Sequence, residues 1–414
     1  MKTAFFTQNI KCGGLDTFIL NLIANWPEED EVILFCNRSH PGLAALSEGL
    51  TGKAVVVPYD FWIAQDISDR LAHVPAFLRV LFRSAFWLLG FPYLIVKTGQ
   101  LFKKNDADRL MVINGGYPGG DACLAATIAW QRSAPGRRAW HNFHNLVLPY
   151  SCQPLRRLKE RLVDRFVARA ATGFITVSRA CLATRASRPL LMSAQGEAIY
   201  NGIAPLVPAL TEPLAAELGL SKDSQIVLML AVYEPRKGHA FIIRAMEQVV
   251  RRVPTATLLI CGDGTQQEVE AVRRLCDASR ARRHIVLQGH RRDLSNLLAQ
   301  ASVLVLPSQA QESFGYTAVE AMACACPVVV TDVGGLPEVV EDGRCGFVVQ
   351  REDESGLAER IALLLGDESL RKRMGEAGVQ RYRDLFSASR MATEYFSLLE
   401  RDAVNDGSNV GSGH

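Results

Sequence analysis

The chain has 414 residues, too many for one core and suited to two domains of roughly 200 residues each. Hydrophobic residues make up 48% and charged residues 21%, which excludes a disordered polymer. The formal charge of +3 is small, but residues 1–203 hold 23 Lys/Arg against 15 Asp/Glu, so this half carries +8 and the remainder −5.

Taken in chain order, "TAFFTQ" predicts a first strand, followed by the glycine-bearing loop "NIKCGG". "LDTFILNLIANW" has apolar residues at helical spacing, and "EVILFC" and "AVVVPY" are short β-branched runs typical of strands. Between Asp69 and Asp106 there is no acidic residue, while Arg79, Arg83, Lys97, Lys103 and Lys104 all occur. The apolar run 85–96 in this stretch is shorter than the roughly 20 residues a membrane-spanning helix needs. A basic, aromatic segment over 73–104 has the composition of an interfacial helix at an anionic membrane. A solvated basic face beside a core helix is the equal alternative. "RLMVING" predicts a strand, "GGYPGGD" a turn, "ACLAATIAWQR" a helix and "GFITVS" a further strand. The arginines are not interleaved with a nucleic-acid-reading motif, so no nucleic-acid partner is expected.

The proline-bearing stretch "APLVPALTEPL", 204–214, reads as a linker. The alternation then restarts with strands at "QIVLMLAVY", "ATLLICGDG", "HIVLQG", "VLVLPS" and "PVVVTD", each followed by a helical pattern. Apolar strands alternating with helices mean parallel sheets covered on both faces. The expected class is α/β: two doubly wound, Rossmann-like domains facing across a cleft, over 1–203 and 204–387. Ligands in such sheets sit beyond the strand C-termini. The end of the chain, 404–414, has the composition of a disordered tail. The ten cysteines show no C-x-x-C pair, and no leader segment is evident. We therefore expect a cytoplasmic protein with reduced thiols, at the inner face of the cell membrane if the basic segment docks there.

The stretch "PSQAQESFGYTAVEAMA" carries two carboxylates, Glu312 on a loop and Glu320 in the second turn of the following helix. A helix N-terminus offers amide N–H groups and a partial positive charge to an anion. Gly315 lets backbone approach a ligand closely. A carboxylate one or two turns inside can accept hydrogen bonds from a vicinal diol. Chance spacing of two common residues is the plain alternative.

Context favours the diol reading. Together with "PVVVTDVGGLPEVVEDGRCGFVV", "PRKGH" at 235–239, "CGDG" at 261–264, "YNGI" at 200–203 and "GGLDTFILNL", this element resembles the retaining glycosyltransferases of family 4, which have the GT-B fold. The resemblance is strong in the second half and looser between 40 and 130. It implies a nucleotide-sugar donor and an acceptor hydroxyl. The acid-free, aromatic 73–104 segment adds the expectation of a saccharide or lipid-linked acceptor, in polysaccharide, O-antigen, lipopolysaccharide or glycolipid assembly. The resemblance implies that Glu320 binds the ribose hydroxyls, Glu312 the donor sugar near the reacting carbon, and Lys237 the diphosphate. The backbone at Phe314, Gly315 and Tyr316 would cradle the donor, with Gly262 beside it. Gly13 and Gly14 would open the first domain's loop, near the donor phosphate or the acceptor. His144 matches a histidine facing the donor sugar, and a last helix over about 388–403 would rejoin the first domain.

One departure is notable. Relatives usually carry Gly-Arg about five residues before the Lys-Gly pair, whereas this chain has Ala231 and Val232. Arg236 is the candidate replacement for the second phosphate-binding cation; a surface charge at a helix entry is the alternative. Fixed cations would stabilise negative charge on the leaving diphosphate. No D-x-D element stands in a suitable loop, so no metal and no cofactor are expected. His141 reads as structural, because two histidines make a weak metal site. A catalytically inactive nucleotide-sugar sensor or scaffold is the alternative function, favoured by the absent Gly-Arg pair.

Overall fold

The computed structural model describes residues 1–62, 74, 76–207 and 213–409, with side chains at 76–88 and 402–409 outside that description. The side chains of Arg79 and Arg83, part of the expected linker (208–212) and residues 410–414 therefore lie outside what is described. The chain divides into one unit of Met1–Gly202 with Ala388–His414 and a second of Ile203–Ser387.

The first unit is built on β1 (Lys2–Thr7), β2 (Glu31–Asn37), β3 (Val55–Tyr59), β4 (Arg109–Asn114), β5 (Ala139–Phe143), β6 (Ala171–Thr176) and β7 (Gln195–Ala198). They form one sheet in the order β3-β2-β1-β4-β5-β6-β7, with parallel pairing throughout. Because side chains alternate along a strand, Phe5 and Phe6 feed opposite faces. Phe5 packs with Leu34, Met111 and Trp140, and Phe6 with Ile33, Phe35 and Trp130. The helices are α1 (Gly14–Ala24), α2 (Leu43–Gly49), α3 (Ala76–Asn105), α4 (Asp121–Ser133), α5 (Pro154–Ala170) and α6 (Arg179–Ala183). No helix among the described residues is long and apolar enough to cross a membrane.

The second unit contains β8 (Gln225–Leu230), β9 (Ala256–Cys261), β10 (Ile285–Gln288), β11 (Val303–Leu306), β12 (Val328–Thr331) and β13 (Gly346–Val349), in the parallel order β10-β9-β8-β11-β12-β13. Val227, Val303, Val305 and Val329 carry its central core, since strands covered on both faces are apolar at every position. Its helices are α7 (Leu214–Glu217), α8 (His239–Arg252), α9 (Gln266–Ala278), α10 (Leu294–Gln300), α11 (Tyr316–Ala323), α12 (Leu336–Val339), α13 (Glu354–Gly366) and α14 (Glu368–Leu385).

The last helix, α15 (Ala388–Asn409), belongs to the first unit. Met391, Ala392, Tyr395, Leu398 and Leu399 enter the core beside α1, and Asn142 Nδ2 donates to the Tyr395 hydroxyl at 2.8 Å. The helix runs past 403 into the stretch expected to be a disordered tail. Hydrogen bonding carried forward from its packed turns extends it through residues of low helix propensity.

Candidate active site

In a doubly wound sheet the ligand crevice lies where the strand order reverses, outside the C-terminal ends of the two strands there. In the second unit these strands are β8 and β11. The β8 loop carries Arg236 and Lys237 in a short 3-10 turn, and the β11 loop carries Ser308 to Gly315. The two loops meet: Gln309 N–H donates to the Arg236 carbonyl at 2.7 Å. Gly238 ends the turn in the left-handed region, at φ 81°, and a Cβ there would lie 1.9 Å from the Pro307 carbonyl oxygen. Only glycine permits that approach.

At this junction Lys237 Nζ donates to Glu312 Oε2 at 2.6 Å, and Ser308 Oγ donates to the same oxygen at 3.0 Å. The Lys237 and Glu312 side chains are 17% and 12% exposed, so the pair is reachable yet largely shielded from screening water. Arg236 donates through Nε to Glu234 and through Nη1 to the Gln311 carbonyl, the latter at 3.1 Å. The loop after β12 closes the other side. Gly335 N–H donates to the Glu312 carbonyl at 2.9 Å, and a Cβ on Gly334 would fall 1.8 Å from that oxygen. Thr331 Oγ1 donates to the Ser308 carbonyl. Three βα loops thus fix the position of Glu312.

Gly315, at φ 100°, caps α11. Phe314 is buried, edge-on to Tyr316 and Phe386 with centroids at 5.6 and 5.8 Å, so any part it takes in a cradle falls to its backbone. Glu320 stands in the second turn of α11, half-buried, and desolvation pushes its carboxyl up to about 7. Gly262 serves loop packing: a Cβ would lie 1.9 Å from the Ala231 carbonyl oxygen, and Ala231 N–H donates to the Cys261 carbonyl at 3.1 Å.

The first unit reverses strand order between β1 and β4. Gly13 and Gly14 are exposed in the β1 loop. Asp16 holds this loop: its Oδ2 accepts the Gly13 N–H at 3.1 Å and its Oδ1 accepts Asn9 Nδ2 at 2.7 Å. Sequence reasoning passed over Asp16, although an acid three residues after a loop glycine is a helix-start signal. It also passed over Ser308. His144 follows β5, with its ring 4.1 Å from Phe18 of α1 and its Nε2 buried without a hydrogen-bond partner. Burial lowers its pKa to about 3, so the imidazole is neutral. His141 is a core residue: Nδ1 lies 2.9 Å from Thr127 Oγ1 and Nε2 lies 3.3 Å from Asn114 Nδ2. Since the amide nitrogen must donate, Nε2 accepts and Nδ1 carries the proton.

The sequence matches the family model described as glycosyl transferases group 1 over residues 211–381. It is 30% identical over 196 residues to the N-acetyl-alpha-D-glucosaminyl L-malate synthase of Bacillus anthracis, covering 47% of this chain and 50% of that one. The chain thus spans about half the length of that relative. It is also 30% identical over 287 residues to the alpha-maltose-1-phosphate synthase of Mycolicibacterium smegmatis, covering 62% of this chain and 73% of the relative. HepE of Anabaena, solved in complex with UDP, superposes with a TM-score of 0.73 at 20% identity over 97% of this chain and 100% of its own, which shows a shared GT-B fold. With two parallel sheets of this topology and a relative matched over most of its length, the chain belongs to the glycosyl transferases group 1 family.

Proposed function

We propose that the protein is a retaining glycosyltransferase that moves a hexose-type unit from a UDP- or GDP-sugar to an acceptor hydroxyl. The observation that carries this reading is the Lys237–Glu312 pair at 2.6 Å, set beyond the ends of β8 and β11 where the strand order reverses. A cation and a carboxylate in contact there can divide between diphosphate and sugar: Lys237 turns to the phosphate oxygens as Glu312 turns to the sugar hydroxyls. Glu320 takes the ribose diol in its ionised form. The backbone at Phe314, Gly315 and Tyr316, with Gly262 supporting the neighbouring loop, lies along the donor. The UDP complex of the Anabaena neighbour supports a nucleotide-bearing donor.

Cleavage of the sugar–phosphate bond builds charge on the leaving diphosphate, and Lys237 with Arg236 offsets that charge without a metal ion. The acceptor hydroxyl attacks the face the diphosphate leaves and gives its proton to the departing diphosphate oxygen, which retains configuration. The basic first unit takes a saccharide or lipid-linked acceptor; Gly13 and Gly14 serve the donor phosphate or the acceptor, and neutral His144 serves the donor sugar. The setting is polysaccharide, O-antigen or other glycolipid assembly in the cytoplasm, at the inner face of the membrane.

The engagement of Arg236 by Glu234 and of Lys237 by Glu312 also favours a second reading, a nucleotide-sugar-binding sensor or scaffold without turnover. A thermal-shift screen with UDP-, GDP- and ADP-sugars tests donor binding, because a ligand of the folded form raises its melting point. Slow release of free nucleoside diphosphate from the stabilising donor supports the transferase. Stabilisation with no release supports the sensor, and no stabilisation by any donor removes both readings.

A further inference from the structure

Helix α5 exposes the wrong residues for a solvent-facing helix. Leu155, Leu158, Leu162 and Phe166 are 78%, 57%, 49% and 45% exposed. Their spacing of three, four and four places them on one stripe of a 3.6-residue helix. The adjoining face is already packed, with Val163, Val167 and Ala170 buried in the unit's core. The outward stripe is therefore additional to the core face and has no packing partner among the described residues of the unit.

The charges sort in the same way. Arg156, Arg157, Arg161, Arg165 and Arg169 are all exposed along the helix. Its two acids point elsewhere. Asp164 is buried, accepts from the Tyr117 hydroxyl at 2.6 Å, and pairs with buried Arg188 at 3.2 Å. Glu160 is mostly buried and pairs with Arg188 at 3.2 Å and with Arg156 at 3.1 Å. The fold thus draws both carboxylates inward and leaves arginine and apolar side chains outside. Lys159 lies 6.0 Å from the centroid of the Phe91 ring, which joins this face to α3, where Leu89 is 70% exposed.

We infer that the outer face of α5 docks on an anionic lipid bilayer, with Leu155, Leu158, Leu162 and Phe166 entering the headgroup boundary and the flanking arginines pairing with lipid phosphates. An apolar stripe rimmed by cations on a helix too short to span is the form of an interfacial anchor. Charge complementarity selects this occupant. A two-fold copy of the chain would set these arginines against each other, whereas an acidic leaflet neutralises them. The inference deepens the membrane-facing part of the proposed function and assigns it to a surface outside the 73–104 segment.

The experiment is co-sedimentation of the full chain with vesicles of phosphatidylglycerol and phosphatidylcholine, compared with vesicles of phosphatidylcholine alone. The expected result is binding at low salt to the anionic vesicles, lost at high salt. The double variants Leu158→Ser/Phe166→Ser and Arg161→Gln/Arg165→Gln should each lower partitioning by about tenfold or more, because each removes two interfacial contacts. Both substitute exposed positions, so the melting temperature and its shift with UDP should match the parent. No sedimentation with anionic vesicles overturns the inference, as do variants that bind like the parent. A parent that ignores vesicles but forms dimers disrupted by Leu158→Ser/Phe166→Ser overturns it in favour of a second copy. Vesicle binding without any UDP shift leaves the inference standing and counts against the donor reading alone.

Discussion

At Lys237 the residue chemistry is most directly testable. Its ammonium shares a half-open position with the Glu312 carboxylate, so Lys237→Ala removes a phosphate contact and also leaves a carboxylate that keeps the Ser308 hydroxyl but no cation among the described residues. Affinity for a nucleoside diphosphate should fall at least about tenfold, or 1.4 kcal/mol, by titration calorimetry. Adding Glu312→Gln should restore the melting temperature without restoring that affinity, which separates the fold from the site. Glu320 gives a second test. Burial raises its carboxyl from the ordinary 4.5 to about 7. A raised folded value means its favourable contribution is full below about 4.5 and disappears as pH rises through 7. Glu320→Gln should therefore raise the melting temperature relative to the parent at pH 8 and lose that advantage at pH 5. Equal shifts at both values would mean the carboxyl is not desolvated.

At the scale of elements, the site depends on loops brought into contact by glycines. Gly238→Ala meets both a left-handed φ of 81° and a carbonyl oxygen at 1.9 Å. Backbone strain and steric overlap together should cost roughly 1–3 kcal/mol, and the loop shift should carry Lys237 away from Glu312. Unfolding in urea measures the first effect and nucleotide titration the second; a variant with parental stability would contradict this geometry. These loops were only partly legible in the sequence. Glu312, Gly315 and Glu320 stand out through their spacing and setting, but nothing local announces that Gln309 bonds to Arg236 or that Gly335 bonds to Glu312. Those contacts join strands distant in sequence. The apolar strands β1, β2 and β8 to β12 are readable from their β-branched and aromatic runs. β5 and β7 are not. β5 mixes Trp140, His141 and Asn142, whose polar groups find partners only through tertiary contacts at Thr127 and Tyr395. β7 is a polar edge strand with residues half-buried or exposed, so it lacks a buried run. Arg188 escaped notice in the same way, since the pull of Glu160 and Asp164 toward it is invisible before folding.

For the whole molecule, the response to acid comes from imidazoles held neutral by burial. His141 and His144 are lowered to about 3 and His239 to about 4. For each, the folded value lies below the ordinary 6.5, so its stabilising contribution is complete above 6.5 and is lost as pH falls toward the folded value. The slope approaches about 1.4 kcal/mol per pH unit per histidine, opposed by the carboxyls of Glu320 and Asp164, which burial raises. Stability measured by denaturant should fall steeply between pH 6 and 4, and His239→Asn should flatten the curve. A profile independent of pH across that range would contradict the burial. The path of the chain supplies another test. Removing residues 388–414 takes Met391, Tyr395, Leu398 and Leu399 from the first unit's core and leaves Asn142 without its hydroxyl partner. Losses of several large buried side chains at about 2–5 kcal/mol each exceed what a domain can absorb. The truncated protein should lose the first unit's protected amides in hydrogen exchange while 203–387 keeps its own.

That same path sets an order of events during biosynthesis. The ribosome releases residues 1–202 first, yet their hydrophobic interior stays open until the final helix has been translated. Residues 203–387 have all their own parts in hand before then, so the half of the polypeptide made second is able to mature first. The earlier half must wait, with sticky surface uncovered, until the codons for 388–399 have been read.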